Sequence, residues 1–172
     1  MDLVSALKNM KKHDEYYTPK EAVELLLPYV PKGKTIWCPF DTESSEFVQV
    51  FTRGGHKVVY SHISEGKDFF QYSPTEPYDF IISNPPYTLK NKVYQRLFEL
   101  QKPFAMLVPI NGIFDNKLRF ELFRKNGIEL LVPKGRIKFI TSDGVGVAPP
   151  FQTVYVCWKF LPQAFCFEEV TK

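Results

Sequence analysis

Between residues 35 and 160, short apolar runs alternate with amphipathic stretches, and that alternation leaves few folds open to the chain. The runs 35–38, 57–63, 79–83, 104–108 and 128–132 are rich in β-branched and aromatic residues and too short for helices. Strands that are apolar along their whole length are buried on both faces, as in a parallel sheet covered by helices. The segments between them carry helix signals. Thr18-Pro19-Lys20-Glu21 reads as a cap, a first-turn proline and a capping box, followed by Ala22, Val23, Leu25, Leu26 and Leu27 up to Pro31. Ser44 or Ser45 opens a helix through Phe47, Val48, Val50 and Phe51, closed by Gly54-Gly55. A third helix, 91–100, aligns Val93, Tyr94, Leu97 and Leu100, and a fourth runs from Asp115 or Asn116 to Asn126-Gly127. The stretches 136–140 and 153–160 read as a final strand pair with no helix between them, so one is expected to run antiparallel. The expectation is an α/β, doubly wound, mostly parallel sheet with one antiparallel strand near the C-terminus. With no repeat and no linker, residues 1–172 are expected to form a single domain.

Asn84-Pro85-Pro86-Tyr87 follows directly on the buried run 79–83. In an open α/β sheet, ligands bind beyond the carboxyl ends of the strands, which is where this tetrapeptide falls. Two prolines fix φ, remove two N–H donors and push Asn84 into extended geometry. The result is a stiff turn whose carbonyls are free to face a cleft. The Asn84 side-chain carbonyl and the Pro85 backbone carbonyl suit the two hydrogens of one exocyclic aromatic amine. Such an amine is a weak nucleophile because its lone pair is delocalised into the ring. Two acceptors that draw it towards a tetrahedral shape localise that pair, which is catalysis by positioning and electrostatics. Tyr87 suits a ring-stacking role.

On this motif the chain resembles the S-adenosylmethionine-dependent amino methyltransferases, above all the DNA adenine-N6 methyltransferases, including small ones carried by phages. The resemblance spans residues 14–160 and is strong in the tetrapeptide but patchy elsewhere. It implies a Rossmann-like methyltransferase fold, S-adenosylmethionine as cofactor, and Asn84, Pro85, Pro86 and Tyr87 as the catalytic group. The family loop after the first strand reads acid-Pro-x-x-Gly-x-Gly. Here Pro39 and Phe40 match, Cys38 takes the acid's place, and Thr42 and Ser44 stand where glycines are expected, with Asp41 between. The family acid that grips the cofactor ribose is replaced by His62, next to Ile63. Asp68 and Phe69 match the segment that meets the cofactor adenine. Asp14-Glu15-Tyr16-Tyr17-Thr18-Pro19 resembles the family segment over the methionine end, which implies roles for Tyr17 and Thr18. Segments 135–139 and 148–153 resemble those bordering the target base, with Phe139 stacking and Arg136 and Lys90 on the substrate. Each position also has a plain structural alternative: Thr18 a helix cap, Phe40 and Phe139 core residues, His62 a strand-end residue.

A net charge of +3 and a group of basic residues in the second half of the chain point to nucleic acid, DNA before RNA, through phosphate contacts. They include Lys90, Lys92, Arg96, Lys117, Arg119, Arg124, Lys125, Lys134, Arg136 and Lys138. No segment is long enough for an added target-recognition domain, so a short or loose specificity, a homodimer or a specificity partner is expected. RNA adenine and a protein glutamine amide are the other substrates of such a clamp. Cys38, Cys157 and Cys166 lack metal-ligand spacing and read as reduced core residues, so no metal is expected. Neither a signal peptide nor a membrane span is evident, and a cytoplasmic location is expected. A second class stays open, a binding or inhibitor protein built on a methyltransferase fold that has lost its chemistry.

Overall fold

The computed structural model describes residues 16–171; Asp14 and Glu15 lie outside them. The elements in chain order are α1 (Lys20–Glu24), β1 (Thr35–Cys38), α2 (Glu46–Arg53), β2 (Lys57–Tyr60), β3 (Phe80–Ser83), α3 (Lys90–Leu100), β4 (Phe104–Pro109) and α4 (Lys117–Asn126). After these come β5 (Glu129–Pro133), β6 (Phe139–Ile140), β7 (Gly146–Val147), β8 (Thr153–Trp158) and β9 (Phe165–Glu168). Seven strands form one sheet in the order β2-β1-β3-β4-β8-β5-β9, and β6 and β7 form a separate hairpin. Strands β2, β1, β3 and β4 are mutually parallel, and only β8 runs against its neighbours, β4 and β5. The fold class expected from the alternating pattern is the one observed.

Period-two alternation divides the core. On one face Ile36, Cys38, Ile82, Ala105, Leu107, Tyr155 and Cys157 pack with α1 and α2. On the other, Trp37, Ile81, Phe104, Met106, Val108, Val154 and Val156 pack with α3 and α4. Two covered faces explain why these strands are apolar at nearly every position.

The chain leaves β1 for β2 on one side and later places β3 on the other. The crevice at this switch point, outside the carboxyl ends of β1 and β3, is where ligands bind in sheets of this kind. The loops 39–45, 61–68, 84–89 and 110–116 all leave the sheet at that edge.

Three sequence expectations fail locally. The 136–140 and 153–160 segments do not pair: β6 pairs with β7, while β8 inserts between β4 and β5. Strand β9, parallel to β5 at the sheet edge, was not anticipated. The Thr18 capping box does not form either. Pro19 is the N-cap with no side-chain bond, and the Thr18 hydroxyl is used elsewhere.

Candidate active site

Asn84 follows β3 directly and faces the crevice region between β3 and the segment ahead of α1. Its Nδ2 donates to the Thr18 Oγ1 at 3.2 Å. Its Oδ1 is buried and has no hydrogen-bond partner among the described residues. A buried unpaired acceptor costs free energy, and a hydrogen-bond donor brought to Asn84 would relieve that cost. The neighbouring Pro85 is buried, and its carbonyl accepts no bond among the described residues. Pro86 sets up a short 3-10 turn, Tyr87–Leu89, by accepting the Leu89 N–H at 3.1 Å. That turn holds Tyr87 half-buried beside the Asn84 side chain. Burial pushes the Tyr87 phenol far above its ordinary range, against a smaller opposing effect of Asn84, so the ring stays neutral.

Beneath Asn84 lies a buried acid. The Asp41 Oδ2 accepts from the Ser83 hydroxyl at 2.5 Å, and its Oδ1 accepts from the Ser45 hydroxyl. The Asp41 N–H donates to the Ser61 carbonyl at 3.1 Å, and the Ser61 N–H donates to that of Cys38, also at 3.1 Å. Asp41 thus ties the ends of β1, β2 and β3 together across the switch point. Burial pushes its carboxyl up to about 6, although the two serine hydroxyls pull the other way.

Thr42 is half-buried and Ser44 exposed, with their hydroxyls 3.3 Å apart, and with Glu43, Gln49 and Glu65 they line an open pocket of about 490 Å³. Pro39 is buried. Phe40 is half-buried and packs on Phe69, with ring centroids 4.9 Å apart. Phe69 is fully buried behind it and against Trp37 at 5.5 Å. His62 caps the turn Ile63–Glu65: its Nδ1 accepts the Ser64 N–H at 3.1 Å. That is the structural alternative for His62, with Ile63 half-buried in the turn it starts. Gly66, at φ +74°, takes the left-handed conformation that ends the turn and leads to Asp68. The Asp68 Oδ1 accepts the Phe70 N–H at 3.0 Å, and its Oδ2 accepts no bond among the described residues.

At the far rim, the hairpin of β6 and β7 meets the start of the described chain. The Tyr17 N–H donates to the Ile140 carbonyl at 2.8 Å, and the Tyr17 carbonyl accepts the Ile140 N–H at 3.0 Å. This pairing leaves Tyr16 and Tyr17 exposed and sets Thr18 against Asn84. Phe139, expected to stack on a base, points inward: it is 2% exposed and meets Tyr16 edge-on at 6.3 Å. Strand alternation puts Ile140, not Phe139, on the outer face. Arg136 is exposed and donates to the Pro149 carbonyl at 3.3 Å. Lys90 opens α3 next to the Tyr87 turn. Burial first, and then the charge of Arg119, pull its ammonium below the ordinary range, with Asp115 offsetting part. Arg119, expected among the phosphate contacts, is buried and holds the 110–116 loop from within.

The structure therefore gathers Thr18, Phe40, Asp68, Asn84, Pro85 and Tyr87 along one sheet edge, and withdraws Phe69, Phe139 and Arg119 into the interior. Sequence reasoning missed Ser83 as the link between Asp41 and the tetrapeptide. A serine closing an apolar strand was the signal.

No protein-family model and no curated protein sequence matches the chain. Among solved structures it is similar to the type I restriction enzyme EcoKI M protein, with 10% identity and a TM-score of 0.54 over 90% of this chain and 45% of that one. It is also similar to precorrin-6y C5,15-methyltransferase from Geobacter metallireducens, with 10% identity and a TM-score of 0.52 over 85% of this chain and 94% of that one. A third likeness is to the 23S rRNA methyltransferase ErmE, with 9% identity and a TM-score of 0.50 over 87% of this chain and 71% of that one. The fold is the Rossmann-like methyltransferase fold.

Proposed function

We propose that this protein transfers a methyl group from S-adenosylmethionine to the N6 amine of adenine in nucleic acid, with DNA favoured over RNA. The observation that carries this reading is the Asn84 amide, whose donor side is anchored on Thr18 and whose buried acceptor is unpartnered. An exocyclic amine supplies the missing donor, and the unpartnered Pro85 carbonyl takes its second hydrogen. A group that offers only an acceptor, such as a ring carbonyl, is not what two acceptors select.

The residues at the crevice fit the cofactor. Asp68 keeps one carboxylate oxygen for an adenine amine, Phe40 offers a half-buried ring, and Thr42 and Ser44, in place of glycines, line an open pocket beside the loop. S-Adenosylmethionine supplies an activated methyl on a sulfonium. Asn84 and Pro85 localise the lone pair of the amine, and Tyr87 holds the ring in plane. The amine loses its proton to water after alkylation, so no strong base is required. Adenine inside a duplex is out of reach of such a clamp and must be flipped out or unpaired.

The test is incubation with labelled cofactor and unmethylated DNA and RNA, followed by nucleoside analysis. N6-methyladenine is the expected product. Asn84→Ala should lower transfer on the order of a hundredfold or more while sparing cofactor binding. Absence of cofactor binding at millimolar concentration in calorimetry refutes the enzyme reading and leaves the binding-protein class.

A further inference from the structure

The loop after β4 and the first turns of α4 leave two large apolar rings in solvent. Phe114 is 52% and Phe120 51% exposed, and Lys117 is exposed between them. With Asp115, Asn116 and Glu121 they line an open groove of about 380 Å³. That volume accommodates a nucleobase. The charges around the rings are not balanced. Asp115 is paired with Arg119 at 3.2 Å and Glu121 with Arg124 at 2.6 Å, so both acids are neutralised. Lys117 and Lys125 are in no ion pair among the described residues. The Arg124 guanidinium also lies 5.8 Å from the Phe120 ring centroid. Aromatic faces framed by unpaired cations suit bases and phosphates together. An apolar protein partner calls for fewer free cations at the centre of its contact.

The groove shares its rim with the amine clamp. Arg119 sits on the inner side of the same helical turn and donates to the Gly112 and Ile113 carbonyls. It also donates to the Asn91 Oδ1 at 2.5 Å, in the first turn of α3 and just beyond the Tyr87 turn. Loop 110–116 and the Asn84 loop therefore stand side by side at the carboxyl edge of β3 and β4. We infer that Phe114 and Phe120, with Lys117, form a stacking platform that holds unpaired nucleotides flanking the target adenine. This rests on nucleic acid being the substrate and adds where the strand lies.

Fluorescence anisotropy of the full chain with a labelled adenine-containing single-stranded oligonucleotide tests it. Phe114→Ala/Phe120→Ala should weaken binding tenfold or more, given what a base–aromatic stack contributes. Phe120→Ala alone, which removes a ring set on the surface, should weaken it severalfold with thermal stability kept. Lys117→Gln should lower affinity and reduce the slope of log K against log salt by about 0.7. Phe165→Ala/Phe167→Ala, an exposed pair on β9, should bind as the wild type does. Unchanged affinity in both Phe120 variants overturns the platform, as does equal loss in the β9 control. A change in sedimentation instead of affinity identifies the patch as a contact between copies and also overturns it. If the wild type binds no oligonucleotide, the platform and the nucleic-acid reading fall together. Binding without methyl transfer sinks only the reaction, and transfer with platform variants unimpaired sinks only the platform.

Discussion

Asn84 is satisfied on its donor side and open on its acceptor side, and the asymmetry depends on Thr18. If the Thr18 hydroxyl is what aims the amide, Thr18→Val removes a bond to the part-buried Nδ2 and should cost about 1 kcal/mol. Thr18→Ser should recover most of it. Chemical denaturation of the three proteins measures this, and equal stability of all three removes the anchoring role. Asp41 makes a second, signed prediction. Its folded-state carboxyl stands at about 6 against an ordinary 3.8, so the folded protein holds a proton that the unfolded chain releases between those values. Stability linked to this group is therefore fully present below about pH 4, falls as the pH rises towards 6, and is level above it. Asp41→Asn cannot titrate. The stability of the variant relative to wild type should rise by about 3 kcal/mol between pH 4 and pH 7, read from denaturant midpoints and slopes. A flat or falling difference means that the acid is solvated in solution. At this scale the sequence announced Asn84 and the stiff turn after it, because prolines act locally. It did not announce that Thr18 and Ser83 converge there, because neither contact is local.

Among the elements, the ends of α4 were legible, whereas the ends of α1 and the strand partners were not. Asn116 caps α4 by accepting the Leu118 and Arg119 N–H groups at 3.0 and 3.2 Å, and Gly127 closes it, as a cap residue and a glycine at those places predict. Strand pairing has no such local code. The 136–140 run alternates basic and apolar residues, the 153–160 run is mostly apolar, and no helix lay between them, which made them look like a pair. The intervening turn instead pairs 139–140 with 146–147, and β8 continues to a central place in the sheet. Strand β9 escaped notice because Phe165 and Phe167 are exposed and only Cys166 enters the core, too brief a pattern to read. The α4 element makes its own prediction. Arg119, itself buried, holds loop 110–116 through bonds to Gly112, Ile113 and Asp115 and ties it to Asn91 of α3. Arg119→Met keeps the apolar stem but orphans two backbone carbonyls. It should cost about 3 kcal/mol and lower the melting temperature by roughly 6–12 °C. A loss below about 1 kcal/mol means that water replaces the guanidinium and that the loop is not held by it.

At the level of the molecule, the strand that completes the sheet is not part of the candidate site. Thr18, Phe40, Asp41, Asp68 and Asn84–Tyr87 all precede residue 90, whereas β8 begins at Thr153. Yet β8 bonds to β4 along its length and to β5 on its other side. It contributes Val154, Tyr155, Val156, Cys157 and Trp158 to the two core layers. The Tyr155 hydroxyl also donates to the Ala22 carbonyl at 2.8 Å, which fixes α1 and, through it, the approach of Thr18 to Asn84. A chain ending at Pro150 would retain every residue of the candidate site and the β6–β7 hairpin, but would leave facing edges of β4 and β5 without hydrogen-bond partners. Backbone groups at that depth have no water to bond, and each such group costs on the order of 1–3 kcal/mol, so their sum exceeds what a domain has to spare. The truncated chain should therefore keep part of its far-ultraviolet circular dichroism, lose the near-ultraviolet signal of its packed aromatics and melt without a cooperative transition. Nor should it bind cofactor, because the crevice between β1 and β3 is held in place by a sheet that closes only when the segment after Pro150 arrives. A cooperative melt close to that of the full chain would show instead that the edge holding the site is a folding unit of its own.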